Sequence, residues 1–221
     1  MNMKTLSKFP NLYISDHPLV AHKLTLMRQS SCPKVLFKML LKEIGMLMGY
    51  ELTSNLSLKE EVINTPVSEM SAPLIEGKKP VIIPILRAGL GMVEGLEDIM
   101  PAARVGHIGL YRDEETKQAH EYLVKLPKMN GRKVYLVDPM LATGGSAKHA
   151  LDVLVANGVK ASDIRFMVLV AAPEGVKVLL EAYPEVKIYT CALDDHLNEN
   201  AYIVPGLGDA GDRLFGTLDN E

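Results

Sequence analysis

Residues 134–146 read VYLVDPMLATGGS, so an apolar run ends in an acid, Asp138, and a short loop closes on Thr143, Gly144, Gly145 and Ser146. Two adjacent glycines let a backbone curl without Cβ obstruction. Successive N–H groups from Ala142 to Ser146 can then converge on one point, and a helix starting there adds its positive end. The hydroxyls of Thr143 and Ser146 supply further donors. Such a nest suits a phosphate monoester. Asp138, held at the carboxyl end of the preceding strand, can accept hydrogen bonds from vicinal hydroxyls of an attached sugar. The bland alternative is an ordinary strand-to-helix loop in which Asp138 caps a turn. The order of strand, acid, loop and helix favours the phosphate-and-ribose reading.

Two other glycine patterns are expected to be decoys. GLGDAG at 206–211 spells G-x-G-x-x-G. With Glu221 the last residue, however, there is no room for the helix, second strand and ribose-binding acid roughly 20 residues on that a dinucleotide site needs. Gly89 and Gly91 follow an apolar run, but Glu94 stands where a third small residue should pack the helix on its strand. No G-x-x-x-x-G-K-[ST], G-x-S-x-G or H-E-x-x-H occurs. His17 and His22, five apart, do not share a helical face for a metal, and Asp194-Asp195-His196 reads as a polar turn.

The elements that must position the nest follow from periodicity. Residues 80–86 (PVIIPIL), 104–110, 133–137, 164–170 and 186–192 are short apolar runs, the pattern of strands buried on both faces. Residues 89–100, 146–157 and 174–183 read as the helices between them. Two more helices are expected over about 17–50, broken near Pro33, with Leu and Met stripes taken as core faces. Alternation of this kind predicts an α/β fold, a mostly parallel twisted sheet flanked by helices, with ligands beyond the carboxyl ends of the strands. Between Tyr111 and Pro127 the pattern breaks into RDEETKQAH and the alternating EYLVKLP, which predicts a protruding hairpin lid; its acidic run reads as a solvated turn. Residues 55–79 match no pattern.

Composition bounds the partners. The chain has 221 residues, 48% hydrophobic and 23% charged, with no repeat or low-complexity tract, so one domain over 1–221 is expected. A net charge of -3 and 5% aromatics without Trp disfavour nucleic acid, and no apolar run is long enough for a membrane span. Cys32 and Cys191 form no CxxC and read as reduced core thiols, consistent with a cytoplasmic home.

VDPMLATGGS resembles the signature of the type I phosphoribosyltransferases, and the single acid followed by Pro139 is similar to its uracil phosphoribosyltransferase branch. The resemblance continues in HPLVAHKLTLMR at 17–28, PILRAGLGM at 84–92, YRDEET at 111–116, VLVAAPEGV at 168–176 and YIVPGLGDAGDRLFGT at 202–217. It implies conversion of uracil and 5-phosphoribosyl 1-diphosphate to UMP and diphosphate, with Mg2+ bound through substrate and water and not by direct protein ligands.

By the same resemblance Asp138, Pro139, Met140, Leu141, Ala142, Thr143, Gly144, Gly145 and Ser146 bind the phosphoribosyl group. Arg87 and Arg112 clamp the diphosphate, where a planar guanidinium offers bidentate bonds. A base-binding segment over about 193–217 places Ile203, Gly208 and Ala210 on uracil through the main chain, with Asp209 between base and ribosyl donor. Arg87, Arg112 and Asp209 are the implied catalytic set. The family further implies a homodimer or higher homo-oligomer and a possible GTP effector. Two alternatives on the same fold are an RNA-binding pyrimidine attenuation regulator, which a mildly acidic chain disfavours, and a phosphoribosyltransferase for another base.

Overall fold

The computed structural model describes residues 3–112 and 119–217. In chain order the elements begin with β1 (Met3–Leu6), β2 (Phe9–Ser15), α1 (Pro18–Arg28) and α2 (Lys34–Thr53). Next come β3 (Leu58–Asn64), β4 (Glu69–Ile75), β5 (Val81–Leu86), α3 (Leu90–Ile99), β6 (Arg104–Val105), β7 (His107–Arg112) and β8 (Ala119–Lys125). The second half holds β9 (Val134–Val137), β10 (Met140–Leu141), α4 (Gly145–Ala156), β11 (Ile164–Ala171), α5 (Pro173–Ala182), β12 (Lys187–Leu193), β13 (His196–Leu197), β14 (Ile203–Val204) and α6 (Ala210–Phe215).

The main sheet runs β1-β2-β12-β11-β9-β5-β7-β8. Every pairing from β2 to β7 along this path is parallel, and the antiparallel partners β1 and β8 close the two edges. Side chains alternate across it as a period of two demands. Val81, Ile83 and Ile85 of β5, Val134 and Leu136 of β9, and Ile164, Phe166 and Val168 of β11 belong to one core with α4 and α5. Ile82, Tyr135, Val137, Met167 and Leu169 point into the other, under α1, α2 and α3. Both faces are therefore dry, which explains why these strands read as continuous apolar runs. Phe166 is fully buried, and truncating such a residue to Ala costs about 3–5 kcal/mol.

Local chemistry fixes the helix ends. Pro18 opens α1, where its missing N–H costs nothing, and the His17 Nδ1 accepts the Leu19 N–H at 3.1 Å as an N-cap. His17 thus has a structural task. On α2 the buried stripe is Phe37, Leu40, Leu41, Ile44, Met48 and Leu52; of the apolar positions expected on the core faces, Leu40, Ile44 and Met48 are buried but Leu19, Val35 and Met39 are exposed.

Several expectations are corrected. The strand expected over 104–110 is two, β6 paired with β5 and β7 beyond Gly106. Residues before His17, where periodicity marks no element, supply β1 and β2 at the sheet edge. Within 55–79, β3 and β4 form a separate antiparallel hairpin from Leu58↔Ile75 to Asn64↔Glu69. Both cysteines are free and Cys191 is buried, but Cys32 lies partly exposed in the α1–α2 turn, so only one is a core thiol. The lid strands pair antiparallel as β7 and β8, with Tyr111 stacked on His120. The acidic run Asp113-Glu114-Glu115 lies outside the described residues.

Candidate active site

Parallel strands deliver the site. Pro84 pairs with Val137 and Leu86 with Gly109, so Arg87 after β5, Arg112 at the end of β7 and Asp138 after β9 leave the sheet at the same edge. Beyond β9 the chain is stitched to β11. The Asp138 N–H donates to the Met167 carbonyl at 3.1 Å, the Pro139 carbonyl accepts from Leu169 and Val170, and the Ala172 N–H donates to the Leu141 carbonyl at 2.9 Å. This short parallel pairing, Met140↔Val170 and Leu141↔Ala171, holds the start of the loop rigid.

The loop then turns through Gly144, whose φ of 86° lies in the left-handed region, into the first residue of α4. A non-glycine there would be strained, and its Cβ would sit 3.1 Å from the Gly175 carbonyl oxygen. The N–H groups that open α4 lack helical acceptors. A long contact, Gly145 N–H to Thr143 Oγ1 at 3.5 Å, reaches one of them.

Residues 140–147 and Asp138 line a cavity of about 370 Å³, and residues 200–203 with Gly208 and Asp209 line it too. Roughly 300–1,000 Å³ is the usual range for small-molecule sites. Asp138 is the electrostatic oddity. Burial pushes its carboxyl up to about 8, the Met140 N–H that bonds it pulls the other way, and the negative charge of Asp209 raises it further. Asp209 caps α6, accepting the Asp212 N–H at 2.9 Å.

The structure therefore brings together most of the sequence-derived site: Asp138, Met140, Leu141, Ala142, Thr143, Gly144, Gly145, Ser146, Ile203, Gly208 and Asp209 all border one cavity. Pro139 lies buried behind the lining, and Ala210, fully buried, begins α6 behind it. Arg87 is exposed with its guanidinium 5.4 Å from the Phe215 ring centre and does not line the cavity. Arg112 is placed by its backbone alone, paired with Ala119 at the lid base. Among the described residues no three His, Cys, Asp or Glu side chains gather in a metal-binding group.

Sequence reasoning did not single out Asn200, Ala201 and Tyr202, which also line the cavity. Their loop is tightened by the Asn198 side-chain oxygen, which accepts the N–H groups of Asn200 at 3.0 Å and Tyr202 at 2.9 Å. The Asn198-Glu199-Asn200 run is the local turn signal that could have found it. Asp194 is likewise no solvated turn residue: it is buried and ion-paired with Arg28 at 2.6 Å.

Comparison with known proteins places the chain in a family. A family model described as uracil phosphoribosyltransferase matches residues 14–217. A curated uracil phosphoribosyltransferase of Rhodospirillum centenum is 63% identical over 97% of this chain and 100% of its own, and one of Burkholderia lata is 57% identical over 97% and 99%. A solved protein structure from Aquifex aeolicus superposes with a TM-score of 0.89 at 36% identity, covering 94% of this chain and 99% of that one.

Proposed function

Since the chain belongs to the uracil phosphoribosyltransferase family and catalyses the formation of UMP and diphosphate from uracil and 5-phosphoribosyl 1-diphosphate, we propose how this cavity divides that work. One observation carries the assignment: the curled loop at 140–147, the acid Asp138 and residues 200–203, 208 and 209 all line one cavity. We assign the phosphate of a nucleotide to the curled loop, the ribose to Asp138 and the base to residues 200–203, 208 and 209.

The backbone N–H groups of residues 142–146 and the Thr143 and Ser146 hydroxyls hold the 5-phosphate, aided by the dipole of α4. Asp138 accepts the ribose hydroxyls. Main-chain groups of Ile203, Gly208 and Ala210 read the uracil edge, and a cytosine amine at the same place would leave a donor facing a donor. The N1 atom of uracil displaces diphosphate at the anomeric carbon, a bond-making step that needs no protein nucleophile once both partners are aligned. Arg87 and Arg112 stabilise the charge growing on the leaving group, and Arg87 swings from Phe215 to do so. Asp209 stands between base and ribosyl donor.

Mg2+ belongs to the same reading, and it supplies charge neutralisation on the diphosphate. The donor set fits a metal held by substrate oxygens and water, its usual habit, since the Asp138 and Asp209 carboxylates are near enough to feel each other's charge and can accept bonds from bound water. We treat 1–221 as one cytoplasmic domain that works as a homodimer or higher homo-oligomer. Support for assembly comes from the β3–β4 hairpin, where Leu58, Val62 and Ile75 are 60% exposed or more and two strands alone are marginally stable in water. A GTP effector rests on the family resemblance alone.

The test is an assay of the purified chain with 5-phosphoribosyl 1-diphosphate, Mg2+ and, in turn, uracil, cytosine, orotate and hypoxanthine, following nucleotide and diphosphate. Uracil alone is expected to turn over. Preferential use of another base would overturn the assignment of the 200–209 wall, and salt-dependent RNA binding without turnover would replace the enzyme by a regulator.

A further inference from the structure

Arg28 ends α1 and Asp194 directly follows β12, far apart in sequence yet joined as a fork. Nη2 of Arg28 donates to Asp194 Oδ1 at 2.6 Å and Nη1 to Oδ2 at 2.8 Å. The bidentate arrangement fixes both side chains, and the Asp194 side chain is only 5% exposed. This pair then seizes one backbone unit. Arg28 Nη1 donates to the Gly206 carbonyl at 2.6 Å, and the Gly206 N–H donates to Asp194 Oδ2 at 2.9 Å. Gly206 has a φ of 61°, and a Cβ there would overlap the Ile203 carbonyl.

One residue on, a second arginine repeats the grip. Arg213 Nη1 donates to the Leu207 carbonyl at 2.8 Å and Nη2 to the Gln29 carbonyl at 2.7 Å, with its guanidinium 4.6 Å from the Phe37 ring centre. Arg28 and Gln29 are neighbours, so both clamps anchor on the last turn of α1.

The consequence follows from peptide geometry. In a planar trans peptide the C=O and the N–H of the same unit point in opposite directions. An arginine on the Gly206 carbonyl sends the Leu207 N–H the other way, and an arginine on the Leu207 carbonyl does the same to the Gly208 N–H. Leu207 is buried, whereas Gly208 lines the cavity.

We propose that Arg28, Asp194 and Arg213 are positioning residues that lock the 206–208 peptides so that N–H groups, and not carbonyls, meet the base, thereby setting the preference for uracil. This rests on the reading that these peptides form the base wall. Released from its arginine, the Leu207–Gly208 peptide can turn over and present a carbonyl. An acceptor at that place suits an exocyclic amine and penalises a carbonyl on the base.

The experiment is substrate-resolved kinetics on the full chain, beginning with the unmodified protein and uracil. Failure of that control would overturn the base assignment and leave the clamp to be tested on whichever base is used. Arg213→Ala is expected to raise KM for uracil about tenfold, the loss of one charge-assisted hydrogen bond, with KM for 5-phosphoribosyl 1-diphosphate changed less than about twofold. The kcat/KM ratio of uracil to cytosine should fall, and Arg213→Lys should recover part of it. Removing one partner of a buried pair can unfold a protein, so the pair is tested by Arg28→Lys, which keeps the charge and loses the fork, with the same split between substrates expected. Equal rises in both KM values, or an unchanged uracil-to-cytosine ratio in folded variants, would reduce these residues to structural supports and overturn the proposal.

Discussion

The α-carbon of Gly175, in the first turn of α5, stands so close to the Ala142 carbonyl that a Cβ would overlap it and would reach within 3.2 Å of the Gly144 nitrogen. The 142–144 turn into α4 is thus buttressed by a neighbouring helix. Two effects of Gly175→Ala oppose each other. Helix propensity favours alanine by up to about 1 kcal/mol, while the overlap falls on rigid backbone and forces loop or helix to move. We expect the clash to win. KM for 5-phosphoribosyl 1-diphosphate should rise about tenfold or more, with a lowered melting temperature, whereas a more stable protein with unchanged KM would show that the loop yields freely.

Gly144→Val tests the turn itself. Valine at a φ of 86° meets a steric penalty of about 1–2 kcal/mol from the left-handed backbone alone, and the branch would press on Val178, whose Cβ is 3.3 Å from the new Cβ position. Loss of donor binding with the far-ultraviolet circular dichroism retained is the expected outcome. Gly144→Asn, which tolerates this backbone region better, should fall between the two. Normal substrate affinity in the valine variant would contradict the phosphate assignment.

Arg87→Ala and Arg112→Ala probe the leaving-group clamp. Removing a donor aimed at developing negative charge typically costs about 10²–10³ in kcat. Arg87 is exposed at the strand end, so thermal unfolding of Arg87→Ala should stay close to that of the parent while turnover drops by about that factor. Unchanged steady-state rates for either variant would remove that arginine from the site.

The parallel centre of the sheet was legible because burial on both faces leaves runs such as VIIPIL and IRFMVLVA, which only dry strands can afford. The turn from β9 into α4 was legible because glycine, acid and helix start are all local signals. Strands β1 to β4 were not: β1, β3 and β4 are almost wholly exposed, so no core face imposes a period on them, and β2 buries only Phe9, Leu12 and Ile14. Within the site, Asn200 to Tyr202 escaped because backbone turns, and not chemically marked side chains, place them against the cavity. The Arg28–Asp194 clamp joins residues 166 positions apart, and a pairing at that separation leaves no trace in local pattern.

Asp138 makes the site sensitive to pH. Its carboxyl is raised to about 8 from an ordinary value of 3.8, by burial first and by the charge of Asp209, against the Met140 N–H bond. Below about pH 8 the ligand-free protein therefore keeps a proton there that the unfolded chain releases near 4. By linkage this stabilisation is fully present below pH 3.8 and is lost as pH climbs through 8, so the melting temperature without substrate should decline over that window, and Asp138→Asn should flatten the decline. Binding runs the other way. Two ribose hydroxyls donate to a carboxylate, so donor binding expels the proton, and affinity should strengthen with rising pH by up to about tenfold per unit before levelling off above 8. Phosphate groups titrate near pH 6, which confines a clean measurement to pH 7–9. Calorimetry in two buffers of different ionisation enthalpy should report proton release near pH 7 in the parent and none in Asp138→Asn. Release that survives the substitution would assign the titrating group elsewhere and detach Asp138 from the ribose.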